Sequence, residues 1–310
     1  MRTPAIFRLG LLCLVCCGAA FAQQVATPAR EISVHRVAGN VYLLRCDGGC
    51  GANVVALVGS DGLVLVDAAE ESVHQKMVAA LRQLSDKPVR YVIDTHCHGD
   101  HTGGNASFLR EGATVIAHRN VRARLAAKST CGPPPGTGLP TITFDSAMTL
   151  YTDDEEIQIT KLPTGHTDGD IVVYFKKANV LETGDAFFSN GFGGSDHSNN
   201  GTTIGVIDEL RTILSLVPAD AKIVPGHGTV AAIGDVRDAL HTLEAMRDAI
   251  QQQIRAGKSL DEIRQMNVLS PWKDLLGDLC DPHKPCDHID SEFYLRAFFN
   301  ELTTAETPKQ

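Results

Sequence analysis

The stretch YVIDTHCHGDH, residues 91–101, places Asp94, His96, His98, Asp100 and His101 within eight positions, directly behind an apolar run. Neutral imidazoles and carboxylates are the donors that zinc and harder divalent ions take. Similar turns follow other apolar runs: GHTDGD at 165–170 supplies His166, TGD at 183–185 supplies Asp185, and PGHG at 225–228 supplies His227. Glycine flanks these donors, which lets the backbone turn sharply and a ligand approach closely. The set His96, His98, Asp100, His101, His166, Asp185 and His227 is too large for one tetrahedral ion and suits two ions that share a carboxylate. His96 and His98 are two apart and can point the same way, while Asp100 and His101 lie just beyond and can face a second ion. Two divalent ions roughly 3.5–4 Å apart hold a bridging water, lower its pKa towards ~7 and polarise the oxygen under attack. With two aspartates and a bridging hydroxide they leave one net positive charge, suited to a developing oxyanion.

These donors need strands and helices to position them. The run ISVHRVAGNVYLL at 32–44 has strand-like content, and NVVALVGSDGLVLVDAA at 53–69 reads as two β-rich runs around Ser60-Asp61-Gly62, a hairpin signal. Val73, Met77, Val78, Leu81 and Leu84 recur at helical spacing over 71–84. A strand, VRYVID, leads into the first donor turn. Then come a helix at 105–111, a strand GATVIAH and a helix NVRARLAAK. The glycines and prolines of CGPPPGTGLPT, 131–141, mark a loop. Strands return as IQITKLP, IVVYF and NVLETGD, the last two forming a hairpin around 176–178. A second glycine- and serine-rich loop covers 189–203. IDELRTILSLV is an amphipathic helix, AKIVPGHG a strand entering a loop, and 235–265 and 287–303 read as helix. Strands and helices alternate, with hairpins mixed in. That predicts mixed sheets covered by helices, an α/β fold that is not an all-parallel sheet. No fixed-period repeat, GxGxxG fingerprint or P-loop appears.

The 310-residue chain is 43% hydrophobic and 21% charged, as a soluble globular protein is, and long enough for one large domain with an appendage. A net charge of −9 argues against nucleic acid as a partner, because phosphate binding needs a basic surface. The N-terminus has Arg2 and Arg8, an apolar core over 9–19 and the small-x-small pattern Ala20-Phe21-Ala22, which reads as a secretory signal peptide cleaved after Ala22. No later segment has 18 consecutive apolar residues, so no membrane span is expected. The expected location is therefore outside the cytoplasm, in the bacterial periplasm. Export makes the close pairs Cys46/Cys50 and Cys280/Cys286 candidate disulfides, whereas Cys97, between two donors, reads as a buried inert thiol. The cluster Cys280, His283, Cys286 and His288 has the composition of a further metal site, but its prolines and the exported setting favour a disulfide. His118, at a strand end, reads as structural. His197, in the second glycine-rich loop, is a candidate substrate contact. Phe187, Phe188 and Phe192 could line an apolar wall or fill the core.

The motifs HCHGDH at 96–101, GHTDGD at 165–170, TGDAFF at 183–188 and PGHG at 225–228 resemble, in order and spacing over roughly 32–235, those of the metallo-β-lactamase superfamily. The resemblance implies a four-layer αβ/βα sandwich with the metals at one edge of the two sheets. It divides the chain into a signal peptide (1–22), a metallo-β-lactamase-type domain (23–240) and a C-terminal helical extension (241–310). It further implies that His96, His98 and His166 hold one ion, that Asp100, His101 and His227 hold the other, that Asp185 bridges them, and that Asp100 orients the attacking water and passes a proton. Asp185 is similar to the bridging aspartate of the glyoxalase II and lactonase branch, whereas class B1 lactamases carry cysteine at that ligand position. The implied activity is zinc-dependent hydrolysis of a small ester, thioester, lactone or amide, including weak β-lactam turnover, with two zinc ions, or iron or manganese in their place. The alternatives are an oxidoreductase with a single iron, like the persulfide dioxygenases, and a non-catalytic metal-binding envelope protein. Oligomeric state stays open.

Overall fold

The computed structural model describes residues 31–47, 51–127, 131–152, 155–276 and 290–305; the signal-peptide reading, Cys50 and the whole Cys280–His288 cluster fall outside them. Two mixed sheets face each other. The first has seven strands in chain order: β1 (Glu31–Ala38), β2 (Val41–Asp47), β3 (Val54–Val58), β4 (Leu63–Val66), β5 (Val89–Asp94), β6 (Thr114–His118) and β7 (Ile142–Phe144). Its first four strands are an antiparallel meander. Its last four run parallel, crossing over through α1 (His74–Leu84), through α2 (Gly99–Thr102) with α3 (Asn105–Arg110), and through α4 (Arg119–Ala126). The second sheet pairs β8 (Ala147–Tyr151), β9 (Glu156–Lys161), β10 (Ile171–Phe175) and β11 (Val180–Glu182) antiparallel. After α5 (Thr203–Leu216) it continues with β12 (Lys222–Val224), parallel to β11, and the short β13 (Ala231–Ala232). The helices α6 (Ile233–Arg255), α7 (Leu260–Met266) and α8 (Ser291–Ala305) follow.

Strand alternation makes the layers. In β3, Val55 and Leu57 point between the sheets and meet Ile159, Val173 and Phe175 of the second sheet; Val54 and Ala56 point the other way, onto Met77 of α1 and Phe108 of α3. Both faces are covered, so the strand reads as one continuous apolar run and not as an apolar–polar alternation. The outer face of the second sheet, through Val172, Leu181 and Ile223, packs on α5, α6, α7 and α8. The order is thus helix, sheet, sheet, helix, the expected four-layer sandwich.

The run 32–44 folds as a hairpin turning at Gly39, whose φ is +51°. The helical stretch 235–265 is two helices. Gly257, at φ +74°, ends α6, and Ser259 starts α7 by accepting from Glu262 N at 3.3 Å while Glu262 Oε2 accepts from Ser259 N at 2.8 Å. α6 runs unbroken through 240 and 241, so α7 and α8 share one core with α5. Among the described residues no helix is long and apolar enough to cross a membrane.

Candidate metal centre

The donors lie beyond the carboxyl ends of β5, β9, β11 and β12, which open onto one edge of the sandwich. All seven meet there, in two groups. In the first, His98 Nδ1 lies 2.9 Å from His96 Nε2 and 3.0 Å from His166 Nε2, and Asp185 Oδ2 lies 3.7 and 3.5 Å from those two nitrogens. In the second, His227 Nε2 is 3.2 Å from Asp100 Oδ2, and Asp185 Oδ1 is 3.2 Å from His101 Nε2 and 3.5 Å from His227 Nε2. Asp185 therefore presents one oxygen to each group.

The protons on these rings point away from the meeting points. His166 Nδ1 donates to Gly194 O at 2.6 Å, His98 Nε2 to Asp196 Oδ2 at 2.9 Å, and His101 Nδ1 to Asp67 Oδ2 at 2.7 Å. Thr95 Oγ1 gives its proton to Asp67 at 2.8 Å and so is left to accept from His96 Nδ1 at 3.1 Å. With the outer nitrogens donating, three imidazole lone pairs converge in the first group with nothing between them. In the second, His101 Nε2 and Asp185 Oδ1 are buried without a hydrogen-bond partner. Buried polar atoms are ordinarily satisfied, so both groups have the donor set and the orphaned atoms that a cation would satisfy.

The charges agree. Burial opposes ionisation of Asp185, but His101 and His227 overcome it and hold the carboxyl well below its usual range. Burial likewise opposes protonation of His227, yet Asp185 and Asp100 raise its pKa to about 9; His101 is raised well above the ordinary value in the same way. Burial dominates at His96 and His166, both of which are lowered. Two carboxylates thus draw positive charge into the second group, whereas burial keeps His96 and His166 of the first as neutral imidazoles, the form that binds metal.

The His227 and His166 turns are braced from a distance. Asn53, at the entrance to β3, holds the His227 turn: Asn53 Nδ2 donates to Pro225 O at 2.8 Å and to Gly228 O at 3.1 Å. The His166 turn is closed by Asp170, which accepts from Thr167 N and Oγ1 at 2.5 and 2.6 Å. Glu209 of α5 accepts His166 N–H at 3.1 Å, and Arg124 of α4 grips Asp168 through two bonds of 3.1 and 2.6 Å. Asp67, Asp196, Glu209 and Asn53 escape the reading of sequence motifs. Only Asp67 carries a signal there, ending the apolar run LVLV as Asp94 ends its own. Asp67 sits at φ +65°, a left-handed conformation that aspartate tolerates better than most residues.

The remaining candidates separate. His118 is structural: its Nε2 donates to Asp145 O at 3.0 Å and its Nδ1 accepts from Asn120 N at 3.3 Å, capping α4. His197 turns to α8, 3.1 Å from Glu301 Oε1, while its neighbour Asp196 reaches the metal cluster. Phe187 is core, Phe192 packs against the same cluster, and the Phe188 ring stands 4.9 Å from that of His227. The expectation of an inert Cys97 thiol is corrected: Cys97 is bonded to Cys131, with Cα atoms 5.6 Å apart. The loop 131–141 folds back against α4 and brings Cys131 to the donor turn, a proximity invisible in a separation of 34 residues.

Comparison with known proteins follows the same lines. The family model described as metallo-beta-lactamase superfamily matches residues 47–248. Metallo-beta-lactamase IND-1 of Chryseobacterium indologenes is 28% identical over 205 residues, spanning 63% of this chain and 78% of its own. A hydroxyacylglutathione hydrolase of a Synechococcus species is 30% identical over 200 residues, 62% of this chain and 68% of its own. The solved structure of a metallo-beta-lactamase from Pontibacter korlensis superposes with a TM-score of 0.60 at 18% identity, covering 69% of this chain and 99% of that one, a likeness of fold.

Proposed function

Because this chain belongs to the metallo-beta-lactamase superfamily, whose matched relatives here are hydrolases, we propose that it is a dinuclear zinc hydrolase of small esters, thioesters, lactones or amides. The observation that carries this reading is the division of Asp185, one oxygen facing each donor group. His96, His98 and His166 would hold one cation and Asp100, His101 and His227 the other, with Asp185 shared. Such ions supply a polarised carbonyl and an acidified water.

The chain's own residues do the rest. His96, His101, His166 and Asp185 are buried, whereas His98, Asp100 and His227 are partly exposed, so substrate enters on that side. Asp100 is the partly exposed carboxylate beside His227 on that side. With its Oδ2 beside His227 and its pKa held low, although burial opposes this, it is ionised and placed to accept a proton from the attacking water and return it to the leaving group. Phe188 offers an apolar wall beside His227. Export to the periplasm, with maturation after Ala22, belongs to the same proposal; a mature N-terminus at Gln23 tests it.

Metal content by elemental analysis, on mature protein purified without added metal, is paired with hydrolysis of nitrocefin and a thioester panel. Two zincs per chain and turnover are expected, and Asp185→Ala should lose both the second zinc and at least about 100-fold in rate. One iron per chain without hydrolysis would sink the reading.

A further inference from the structure

We propose that the C-terminal helix α8 is a strut for the three-histidine half of the metal centre, with Tyr294 and Glu301 as positioning residues for His166 and His98. This rests on the two-cation reading above. Two relays carry it. Tyr294 is fully buried and donates its hydroxyl to Gly193 O at 3.0 Å. The next carbonyl along, Gly194 O, accepts the Nδ1 proton of His166 at 2.6 Å. The helix therefore holds the peptide adjoining the one whose carbonyl sets the tautomer and direction of the His166 ring.

Two turns further along α8, on the same face, stands Glu301. Its oxygens accept from Thr203 N and Ile204 N at 2.8 Å each, capping the first turn of α5, and Oε1 lies 3.1 Å from His197 Nε2. The residue before His197 is Asp196, which accepts from His98 Nε2 at 2.9 Å, while its own N–H donates to His166 O at 2.8 Å. Thr202 N, at the same joint, donates to Gly165 O at 2.7 Å. The segment 193–204 is thus clamped by α8 at both ends, and between the clamps it supplies the acceptors for two metal-facing histidines.

The clamp adds direction to the packing of α8 on α5. Ile204 and Phe293 pack against the core the two helices share, and Glu301 adds the hydrogen bonds to Thr203 N and Ile204 N that fix the joint. Phe298, Leu295 and Leu302 seat α8 in the core, which gives the strut a fixed base. Among the described residues, no hydrogen bond of α8 reaches Asp100, His101 or His227, the donors of the other half. A residue that merely supported the fold would weaken both halves together; Tyr294 and Glu301 should weaken one.

The test is stepwise zinc affinity of the full mature chain by chelator competition, with the absorption spectrum of the cobalt-substituted form and the melting temperature of the metal-stripped form. Tyr294→Phe and Glu301→Gln keep the packing volume, so the result does not depend on whether Glu301→Ala folds. Outer partners of metal-binding histidines typically change affinity 10–100-fold. Acting one layer further out, these variants should weaken one zinc about 10-fold, leave the other within about twofold and alter the cobalt spectrum. Glu292→Gln, which loosens the Arg264 contact with α7, should change neither zinc. Variants that bind both zincs like wild type, or that weaken both equally, would overturn the inference while the two-cation reading stands. Wild-type protein that takes up no zinc would overturn both.

Discussion

Asp185 can face both donor groups because the residue across from it has no side chain. A Cβ on Gly226 would lie 2.0 Å from Asp185 Oδ1 and 2.7 and 2.9 Å from the backbone at Gly184 and Asp185. Both the carboxylate and the 184–185 backbone that carries it must shift to admit a Cβ, so Gly226→Ala takes Asp185 out of its shared position. The expected result is a loss of about 100-fold in hydrolysis and of one equivalent of metal, with the fold retained by circular dichroism. Full activity in Gly226→Ala would contradict the bridging geometry. Asp67 holds His101 and Thr95 together, and through Thr95 it orients His96. Asp67→Asn keeps the volume but offers one acceptor oxygen where the carboxylate offers two. Metal affinity should fall 10–100-fold, measured by chelator competition. The seven donors are legible in the sequence because each sits in a glycine-flanked turn behind a strand. Asp196 and Glu209 are not, because they act 98 and 43 residues away from the rings and peptides they hold, and only the fold brings them near.

At the scale of elements, hairpins and parallel crossovers follow from alternating apolar runs and turn residues, and the structure keeps them close to where the sequence places them. The link from 131–141 back to the donor turn does not follow from any local pattern, since proline and glycine specify only that the segment is irregular. Cys97–Cys131 closes a loop of 34 residues that contains His98, Asp100 and His101. In the chain-entropy account, such a loop contributes about 2–4 kcal/mol by constraining the unfolded state. The paired substitution Cys97→Ser with Cys131→Ser leaves no stray thiol among the donors. It should lower the free energy of unfolding by that amount, read from the shift of the denaturation midpoint under non-reducing conditions. An unchanged midpoint would mean that α4 and its neighbours Val121 and Leu125 hold the loop without the bond.

Considered whole, the molecule splits its site between its two halves. His96, His98, Asp100 and His101 come from the first sheet, and His166, Asp185 and His227 from the second. Each proposed cation therefore takes donors from both, at the edge where the apolar layer between the sheets ends. Without the cations, this edge gathers converging imidazole lone pairs, two carboxylates and two histidines driven towards the charged form. Binding two divalent ions must then stabilise the assembled sandwich and not the unfolded chain, by about 4 kcal/mol for an ion at a thousandfold excess over its dissociation constant. For a chain of this size that corresponds to a rise of roughly 5–15 °C in melting temperature. Calorimetry with and without a chelator measures it. The shift should shrink in Asp185→Ala, which loses the carboxylate common to both groups, and persist in Tyr151→Ala, a substitution on the exposed surface far from any donor turn. A chelator-insensitive melting temperature in zinc-loaded wild type would show that the two sheets close on their apolar layer alone, with no cation joining them.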